Sequence, residues 1–360
     1  MTAAEGTRAR FRDARGQDWT WEPADGVALF AELTELCIAH LGREHPDTLA
    51  AQHQHLVLRG DLRTAAVVRD RLGEAVDERA EVLGPDHPEA LRARDTYLWC
   101  VAEAGDTGQA VAQYAKLVER LIRVLGPQHP DTLTVRDFHA AYVLRSGNAG
   151  KARKLRAALA TDWARVLGAD HPETLRARHL YAQSVGAAGD THVAAALFAS
   201  AAWDRSRVLG PDHPLTLESR HHHAYWTDQD DRTAEAYALF AQVAADRARV
   251  LGREHRDSMD SQYMYALCAG AVVGVPETMA LLTPLLADQT RILGPDHRDT
   301  LRTRRVHAVC TGELGDPLNA RRLLEALVAD TERVLGPKHP DTRAYRKDKS
   351  HWTRAQRRHR

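Results

Sequence analysis

The sequence has 360 residues, 44% of them hydrophobic and 27% charged, which is enough for one large buried core or for an array of small ones. Forty-nine basic residues balance forty-nine acidic ones, so no net charge draws the protein to nucleic acid or to an anionic membrane. The four cysteines are far apart and form no CxxC pair, which argues against a disulfide framework and a zinc knuckle and is typical of a reducing cytoplasm.

The first 24 residues precede the repeated part of the chain. Their polar, arginine-containing start lacks the apolar segment of a secretory signal, and no later stretch reaches the roughly 20 apolar residues of a membrane span. We therefore expect a cytoplasmic protein without a membrane partner. Residues 1–24 are expected to be a loosely ordered extension whose Trp19 and Trp21 cover the first helix of the domain that follows.

A nonapeptide recurs eight times from residue 41 onward, always 42 residues after the previous copy. Its copies read LGREHPDTL, LGPDHPEAL, LGPQHPDTL, LGADHPETL, LGPDHPLTL, LGREHRDSM, LGPDHRDTL and LGPKHPDTR. An insertion inside a packed helix would break its register, so the constant period indicates that every copy packs on the next in the same geometry.

The nonapeptide itself predicts a turn between two helices. Its glycine can take the left-handed conformation that ends a helix, and the proline after its histidine, such as Pro46, suits the first position of a new one. The histidine before that proline then occupies the N-cap, and we interpret it as structural in every copy. These turn histidines are His45, His87, His129, His171, His213, His255, His297 and His339.

A second break falls eighteen residues after the turn histidine, at glycines such as Gly105 and Gly147, and divides each unit into a helix A and a helix B. Residues 25–345 should therefore form an array: an unpaired helix B, seven full 42-residue repeats and the start of a final helix A. Residues 346–360 form the basic C-terminal end of this capping helix, and the array has about sixteen helices.

Three further positions recur: a small residue on helix A, such as Ala140, and an alanine followed by a large side chain on helix B, such as Ala194 and Phe198. Together with LGxxHPxTL they resemble the tetratricopeptide repeat in the 42-residue form of kinesin light chains and bacterial multi-repeat proteins. The resemblance covers residues 26 to about 345 and implies an all-α, right-handed superhelical solenoid of antiparallel helices. A HEAT-like array shares the period but does not explain the turn motif.

Two further columns stand out when the repeats are compared. Arginine recurs seven residues after the turn histidine and an acid thirty-three after it, and antiparallel packing across the turn should bring them together between repeats. The expected ion pairs are Glu78 with Arg94, Asp162 with Arg178, Asp204 with Arg220, Asp288 with Arg304, and Asp330 with Arg346.

Ten residues after the turn histidine, histidine and tyrosine alternate strictly. The simpler interpretation is a packed position that accepts a flat, half-polar ring; the alternative is a hydrogen-bonded histidine and tyrosine layer that responds to pH. The residues are His55, Tyr97, His139, Tyr181, His223, Tyr265 and His307.

The sequence offers no convincing catalytic or metal site. GNAGKA at 147–152 lacks the first glycine and the Ser or Thr of a phosphate-binding loop. The consecutive His221, His222 and His223 point about 100° apart on a helix and cannot share one metal ion. We therefore expect no cofactor, no metal and no enzymatic activity. An enzyme with a histidine and tyrosine site spread across repeats is the remote alternative.

The resemblance implies a concave groove lined by exposed A-helix positions that bind an extended partner. In this sequence they are Arg92, Asp95, Trp99, Glu103, Asp137, Arg145, Arg176, His179, Gln183, Glu218, His221, Tyr225, Gln229, Asp260, Tyr263, Arg302, Arg305 and Glu313. Mixed charge with aromatic anchors favours a protein or peptide partner over a polyanion. The partner would be an effector, such as a kinase, NTPase or protease-like protein, on another polypeptide. A solvated surface, a nucleic-acid-binding array and a ligand-sensing array are the alternatives.

Two places depart from the regular pattern. In the sixth repeat, Pro276 and Pro284 lie in an apolar run, so we expect a kinked helix B. From residue 346 to the end, seven basic residues surround Asp348 and Trp352. This tail forms either a polar cap on the last helix or a contact to an anionic partner. The oligomeric state does not follow from the sequence.

Overall fold

The computed structural model describes residues 2–15 and 23–358, and within these ranges the only regular structure is α-helix. The helices are α1 (Ala3–Arg15), α2 (Pro23–Leu41), α3 (Pro46–Leu58), α4 (Leu62–Leu83), α5 (Pro88–Glu103), α6 (Thr107–Leu125), α7 (Pro130–Arg145), α8 (Ala149–Leu167), α9 (Pro172–Ala187), α10 (Thr191–Leu209), α11 (Pro214–Gln229), α12 (Thr233–Val250), α13 (Arg256–Val272), α14 (Val275–Ile292), α15 (Arg298–Glu313), α16 (Pro317–Leu335) and α17 (Pro340–Arg358). Within the described ranges, none of these helices has both the length and the apolar character needed to cross a lipid bilayer.

The chain divides into two compact units, Met1–Ser184 and Val185–Arg360. In each unit, helices that follow one another in the chain pack together as hairpins, with odd-numbered helices from α3 onward as A helices and even-numbered ones as B helices. The large B-helix residues predicted from the repeat are fully buried, as Tyr114 shows in the first unit and Phe198 and Phe240 show in the second. The all-α class, the helices α2 to α17 that the repeat predicts, and hairpin packing within each unit are confirmed.

The turn histidines cap the A helices as the sequence predicts. His213 has extended backbone angles, φ −67° and ψ 137°, and its ring caps the N-terminus of α11. In all eight copies the imidazole Nδ1 accepts a 3.2 Å hydrogen bond from the backbone N–H two residues later. The preceding glycine has a positive φ, 99° at Gly210, which a side chain would disfavour. The histidines therefore satisfy helix-end donors that would otherwise lack partners.

The N-terminal segment differs from the expected loose extension. Residues 3–15 form α1, and Phe11 is only 2% exposed. Its ring meets Phe30 edge-on at 6.4 Å and Trp99 edge-on at 5.8 Å between centroids. Burial of an aromatic ring supplies the free energy that orders this short helix, which the repeat pattern does not reveal. Trp19 and Trp21 lie outside the described residues.

The arginines and acids expected to pair between repeats pair mostly within one hairpin. Asp162 pairs with Arg136, at 2.8 Å, and not across the following turn; Arg220 with Asp246 and Arg304 with Asp330 do the same, also at 2.8 Å. Each pair joins helix A to helix B of one hairpin. Two pairs do cross a turn, but through a neighbouring acid: Arg94 binds Asp77 at 2.6 Å, and Arg346 binds Glu332 at 2.7 Å.

The alternating histidine and tyrosine column packs against partners outside the column. His55 bonds through Nδ1 to the Val27 carbonyl at 3.0 Å, and the hydroxyls of Tyr265 and Tyr237 lie 3.2 Å apart. The packed-position interpretation is therefore the better one. In the sixth repeat, Pro284 lies inside α14, which runs as one helix from Val275 to Ile292.

We expect the protein to lose stability as the pH falls from 7.5 to 5. Burial and the charge of Arg69 lower the pKa of His53 to about 4, and burial, His221 and Arg247 lower the pKa of His222 to about 3. The histidines of the unfolded chain titrate near pH 6.5, so below this pH the unfolded chain binds protons that the buried histidines of the folded chain do not bind. The stability that depends on these histidines is therefore complete above about pH 6.5 and declines as the pH falls towards about 4. For the fully buried His53 the loss is about 1.4 kcal/mol per pH unit.

Thermal melts at the two pH values measure this effect, and the melting temperature should be lower at pH 5. A His53→Gln variant, which carries no titrating ring at this site, should lose less between the two values. An equal melting temperature at both pH values would contradict the prediction.

Candidate partner-binding groove

The candidate groove residues lie on the A helices. In the first unit they are on α5, α7 and α9, and in the second on α11, α13 and α15. Spacings of three and four residues place the members of each helix on one face.

In the first unit, charged groove residues pair from one A helix to the next. Arg92 binds Asp131 of α7 at 2.9 Å, and Arg145 binds Glu103 of α5 at 2.5 Å. Asp137 and Arg176 lie 2.7 Å apart between α7 and α9. The arginines stay about half exposed, so they remain available to a partner while their charge is largely balanced.

Two of the predicted groove residues on α5 are not exposed. Trp99 is 2% exposed because Phe11 of α1 covers it and Phe30 stacks on it at 6.2 Å. Asp95 is 8% exposed on the same helix. The expected role of Trp99 as an aromatic anchor is therefore wrong: the ring belongs to the core that α1 completes.

A cavity of about 340 Å³ lies beside α1 in the first unit. Its floor is apolar, and carboxylates and guanidinium groups surround it, so it can hold a side chain with both apolar and charged parts. The residues that line it come from α1, from the starts of α3, α5 and α7, and from α4 and α6; they include Arg8, Phe11, Asp47, Arg79, Glu89, Arg92, Leu121, Asp131, Val135 and Phe138.

A buried arginine supports the C-terminal part of the A-helix face of the first unit. Arg156 of α8 is 4% exposed and donates to the Leu180 carbonyl, to Gln183 Oε1 at 3.2 Å and to Ser184 Oγ at 3.1 Å. Gln183 is thus fixed by the core, and His179 is 5% exposed. Neither is a free surface residue of the kind that the sequence suggests.

In the second unit, Asp260 is the centre of a polar cluster. Its carboxylate lies 3.2 Å from His221 Nε2 and 3.2 Å from Arg302 Nη2. Burial opposes its ionisation, but the hydrogen bond and charge of His221 and the charge of Arg302 outweigh burial and lower the pKa of Asp260 well below its usual range. The Arg302 guanidinium also covers the Tyr263 ring, 4.1 Å from its centroid, so Tyr263 is only 5% exposed.

The remaining groove residues of this unit are more open. Arg305 binds Asp348 of α17 at 2.6 Å, and Glu218 binds Arg205 of α10 at 2.9 Å. Tyr225 meets Trp226 edge-on at 5.1 Å and is half-buried. Gln229 and Glu313 are exposed.

Sequence reasoning missed several partners of this face, namely Phe11, Asp131, Asp348 and Arg205. Two of these partners, Asp131 and Asp348, were detectable in principle, whereas Arg205 lies on the B helix α10. Oppositely charged residues 39 to 43 positions apart, such as Asp137 and Arg176, fall on neighbouring A helices when the period is 42. Phe11 lies outside the period and gives no such signal.

We expect Phe11→Ala to release α1 from the array while the repeats stay folded. The lost ring would cost about 3 kcal/mol or more at a site where a thirteen-residue helix has few other apolar contacts. Amide hydrogen exchange should become fast over residues 3–15 and stay slow in α6. Protection of α1 equal to that in the wild type would contradict the prediction.

Comparisons with known proteins agree with this architecture. Residues 312–341 match a family model described as tetratricopeptide repeat. A crystal structure of kinesin light chain-like, nearly identical TPR-like repeats from Podosopora anserina is 27% identical, with a TM-score of 0.51; the match covers 57% of this chain and 97% of that one. BtubC (BKLC) from P. vanneervenii is 15% identical with a TM-score of 0.55, over 65% of this chain and 94% of that one, which shows a shared fold. No curated protein sequence matches significantly.

Proposed function

Because this chain carries tetratricopeptide repeats similar to those of kinesin light chain-like proteins, we propose that it is a non-enzymatic scaffold that binds a protein or peptide segment on its A-helix face. Arrays of this kind present extended surfaces built from successive helices, and such surfaces suit extended partners. The proposed site consists of the exposed groove residues and excludes the buried ones, which are Asp95, Trp99, His179, His221 and Tyr263.

The observation that supports this proposal most is the position of α1. This helix already lies on the A-helix side of the first unit, with Phe11 against Trp99. Arg8 of the same helix lies 3.6 Å from Glu89 and 3.8 Å from Asp47, at the starts of α5 and α3. The A-helix face therefore accommodates a helical segment through one aromatic ring and one guanidinium group, and the cavity beside α1 offers room for a further side chain.

The buried cysteines fit a binding role better than a chemical one. Burial and the charge of a nearby aspartate raise the pKa of Cys37 and of Cys268 to about 12, which makes these thiols poor nucleophiles. All four cysteines are buried and free, as proteins of a reducing compartment such as the cytoplasm usually keep them. The proposed partner is a separately encoded effector, such as a kinase, an NTPase or a protease-like protein.

The test is affinity capture with the full-length chain followed by mass spectrometry. The double variant Arg145→Ala with Arg176→Ala removes two half-exposed groove arginines, and captured partners should fall about tenfold or more. The matched control, Arg123→Ala with Arg165→Ala, removes two exposed, ion-paired arginines from the B helices α6 and α8. Equal capture by both double variants would count against the groove, provided that circular dichroism shows both to be folded.

A further inference from the structure

Two recurring B-helix charges of the later repeats form ion pairs inside the array. The acid thirty-three residues after the turn histidine meets an arginine of its own hairpin, as Asp246 meets Arg220 at 2.8 Å. The arginine thirty-six residues after the histidine meets the acid that precedes that histidine, as Arg291 meets Glu254 and Arg333 meets Asp296, both at 2.6 Å. In these repeats each of the two recurring charges is therefore balanced by a partner of opposite sign.

The first repeat lacks both of these ion pairs on its B helix, α4. Gln52 replaces the arginine of the first pair, and Glu81 stands where the later repeats have arginine. Glu74, Glu78 and Glu81 are exposed, and within the described residues none of the three forms an ion pair. With Asp70, which is exposed and touches only its neighbour Arg69, they form what we call the acidic stripe. Counted from Asp70, its residues lie zero, four, eight and eleven positions along α4, which places them on one face of the helix.

The last helix carries the opposite charge in the same arrangement. Arg343, Lys347, His351 and Arg354 are exposed on α17 at positions zero, four, eight and eleven, and we call them the basic stripe. In the part of the chain that the structure describes, Arg343, Lys347 and Arg354 form no ion pair. The turn before α17 adds Lys338 where turns such as the one at Asp296 carry an acid.

We propose that two copies of this chain associate through the acidic stripe of one and the basic stripe of the other. Two helix faces with identical spacing and opposite sign can lie side by side over about 17 Å with each charge facing its complement. Val82 next to the acidic stripe is 76% exposed, and such a contact would shield it from water. Because the two stripes differ, the contact is heterologous, and each copy keeps one stripe open for the next.

A second copy fits these surfaces better than a membrane or a nucleic acid. The basic stripe contains no apolar residue, since Tyr345 and Trp352 of α17 pack inward against α15 and α16, so this helix offers nothing to insert into a bilayer. A polyanion would use the basic stripe alone and would leave the acidic one unexplained. A second copy uses both, and exposed pairs of this kind are weak and screened by salt.

Sedimentation velocity of the full chain across a range of concentrations tests the proposal. At about 50 mM salt, where the Debye length exceeds 10 Å, the average mass should rise with concentration above the 40.0 kDa of one chain. At about 500 mM salt it should return to that of the single chain. A wild-type chain that remains monomeric at low salt and high concentration would overturn the proposal.

Charge reversal identifies the surfaces. Glu74→Lys, Glu78→Lys and Glu81→Lys together, or Arg343→Glu, Lys347→Glu and Arg354→Glu together, should each weaken self-association at least tenfold. A mixture of the two triple variants should associate again, because one carries two basic stripes and the other two acidic ones. The control triple variant Glu35→Lys, Glu119→Lys and Glu325→Lys changes exposed acids on α2, α6 and α16 and should behave as the wild type. Self-association that survives both stripe reversals, or a mixture that stays monomeric, would refute the proposed contact.

Discussion

The Gly186→Ala variant is expected to be less stable than the wild type by about 2 kcal/mol or more. A Cβ atom at this position in α9 would lie 2.4 Å from Cζ2 of Trp226 on α11, so one of the two helices has to move. Alanine gains about 1 kcal/mol over glycine in helix propensity, and the clash has to exceed that gain for the sign to be negative. We expect that it does, because Trp226 is part of a packed helix face. Chemical denaturation measures the difference.

The chain provides both a control and a rescue. Gly150→Ala adds a Cβ in α8 that meets nothing within 4 Å, so this variant should be slightly more stable than the wild type. Trp226→Cys installs the residue found at the same repeat position in Cys100, Cys268 and Cys310. In the Gly186→Ala background it should cost much less than it does alone. A Gly186→Ala variant as stable as the Gly150→Ala variant would show that the ring moves freely.

Arg247→Ala is expected to lower stability by about 3 kcal/mol. Arg247 is 4% exposed and donates to the Asp257 carbonyl at 2.9 Å and to Ser261 Oγ at 2.8 Å. Burial lowers the pKa of this guanidinium, although nearby carboxylates oppose the change. Alanine would leave the buried Ser261 hydroxyl and the Asp257 carbonyl without this donor and would open a cavity. Arg249→Ala, two residues away, removes an exposed pair with Asp212 and should cost far less.

A double variant distinguishes the loss of the charge from the loss of packing. The same pair of repeat positions is apolar in Leu121 with Val135, and both of these side chains are buried. Arg247→Leu with Ser261→Val should therefore be more stable than Arg247→Ala, since the polar pair is replaced as a whole. If the double variant were the less stable of the two, the arginine would have a role beyond filling this junction.

Local features of this protein follow from its sequence because they depend on a few adjacent residues. The cap formed by His213 needs only the turn that precedes Pro214, and its geometry is the same in every copy. The burial of Phe198 and Phe240 likewise follows from the spacing of apolar residues along one helix.

Pairings between helices are harder to predict, because a B-helix residue can meet either the A helix of its own hairpin or the A helix that follows the next turn. An acid such as Asp162 is about as far from the A–B turn as Arg136 and about as far from the next turn as Arg178, so sequence spacing alone permits either partner. The structure pairs Asp162 with Arg136. Trp99 occupies a position that is exposed in the repeat pattern, but α1 covers it, and α1 does not belong to the period.

Among the buried pairs between repeats, Arg205 with Ser219 and Arg247 with Ser261 are chemically interchangeable. Excision of residues 213–254, one whole period, would therefore bring Arg205 opposite Ser261 with donor and acceptor still matched. Excision of residues 171–212 would instead place Trp163 opposite Ser219, which would replace a matched pair with a bulky ring against a hydroxyl. Genes for such arrays can lengthen or shorten by unequal recombination. This protein should tolerate the gain or loss of one repeat most readily where an arginine of one repeat meets a serine of the next.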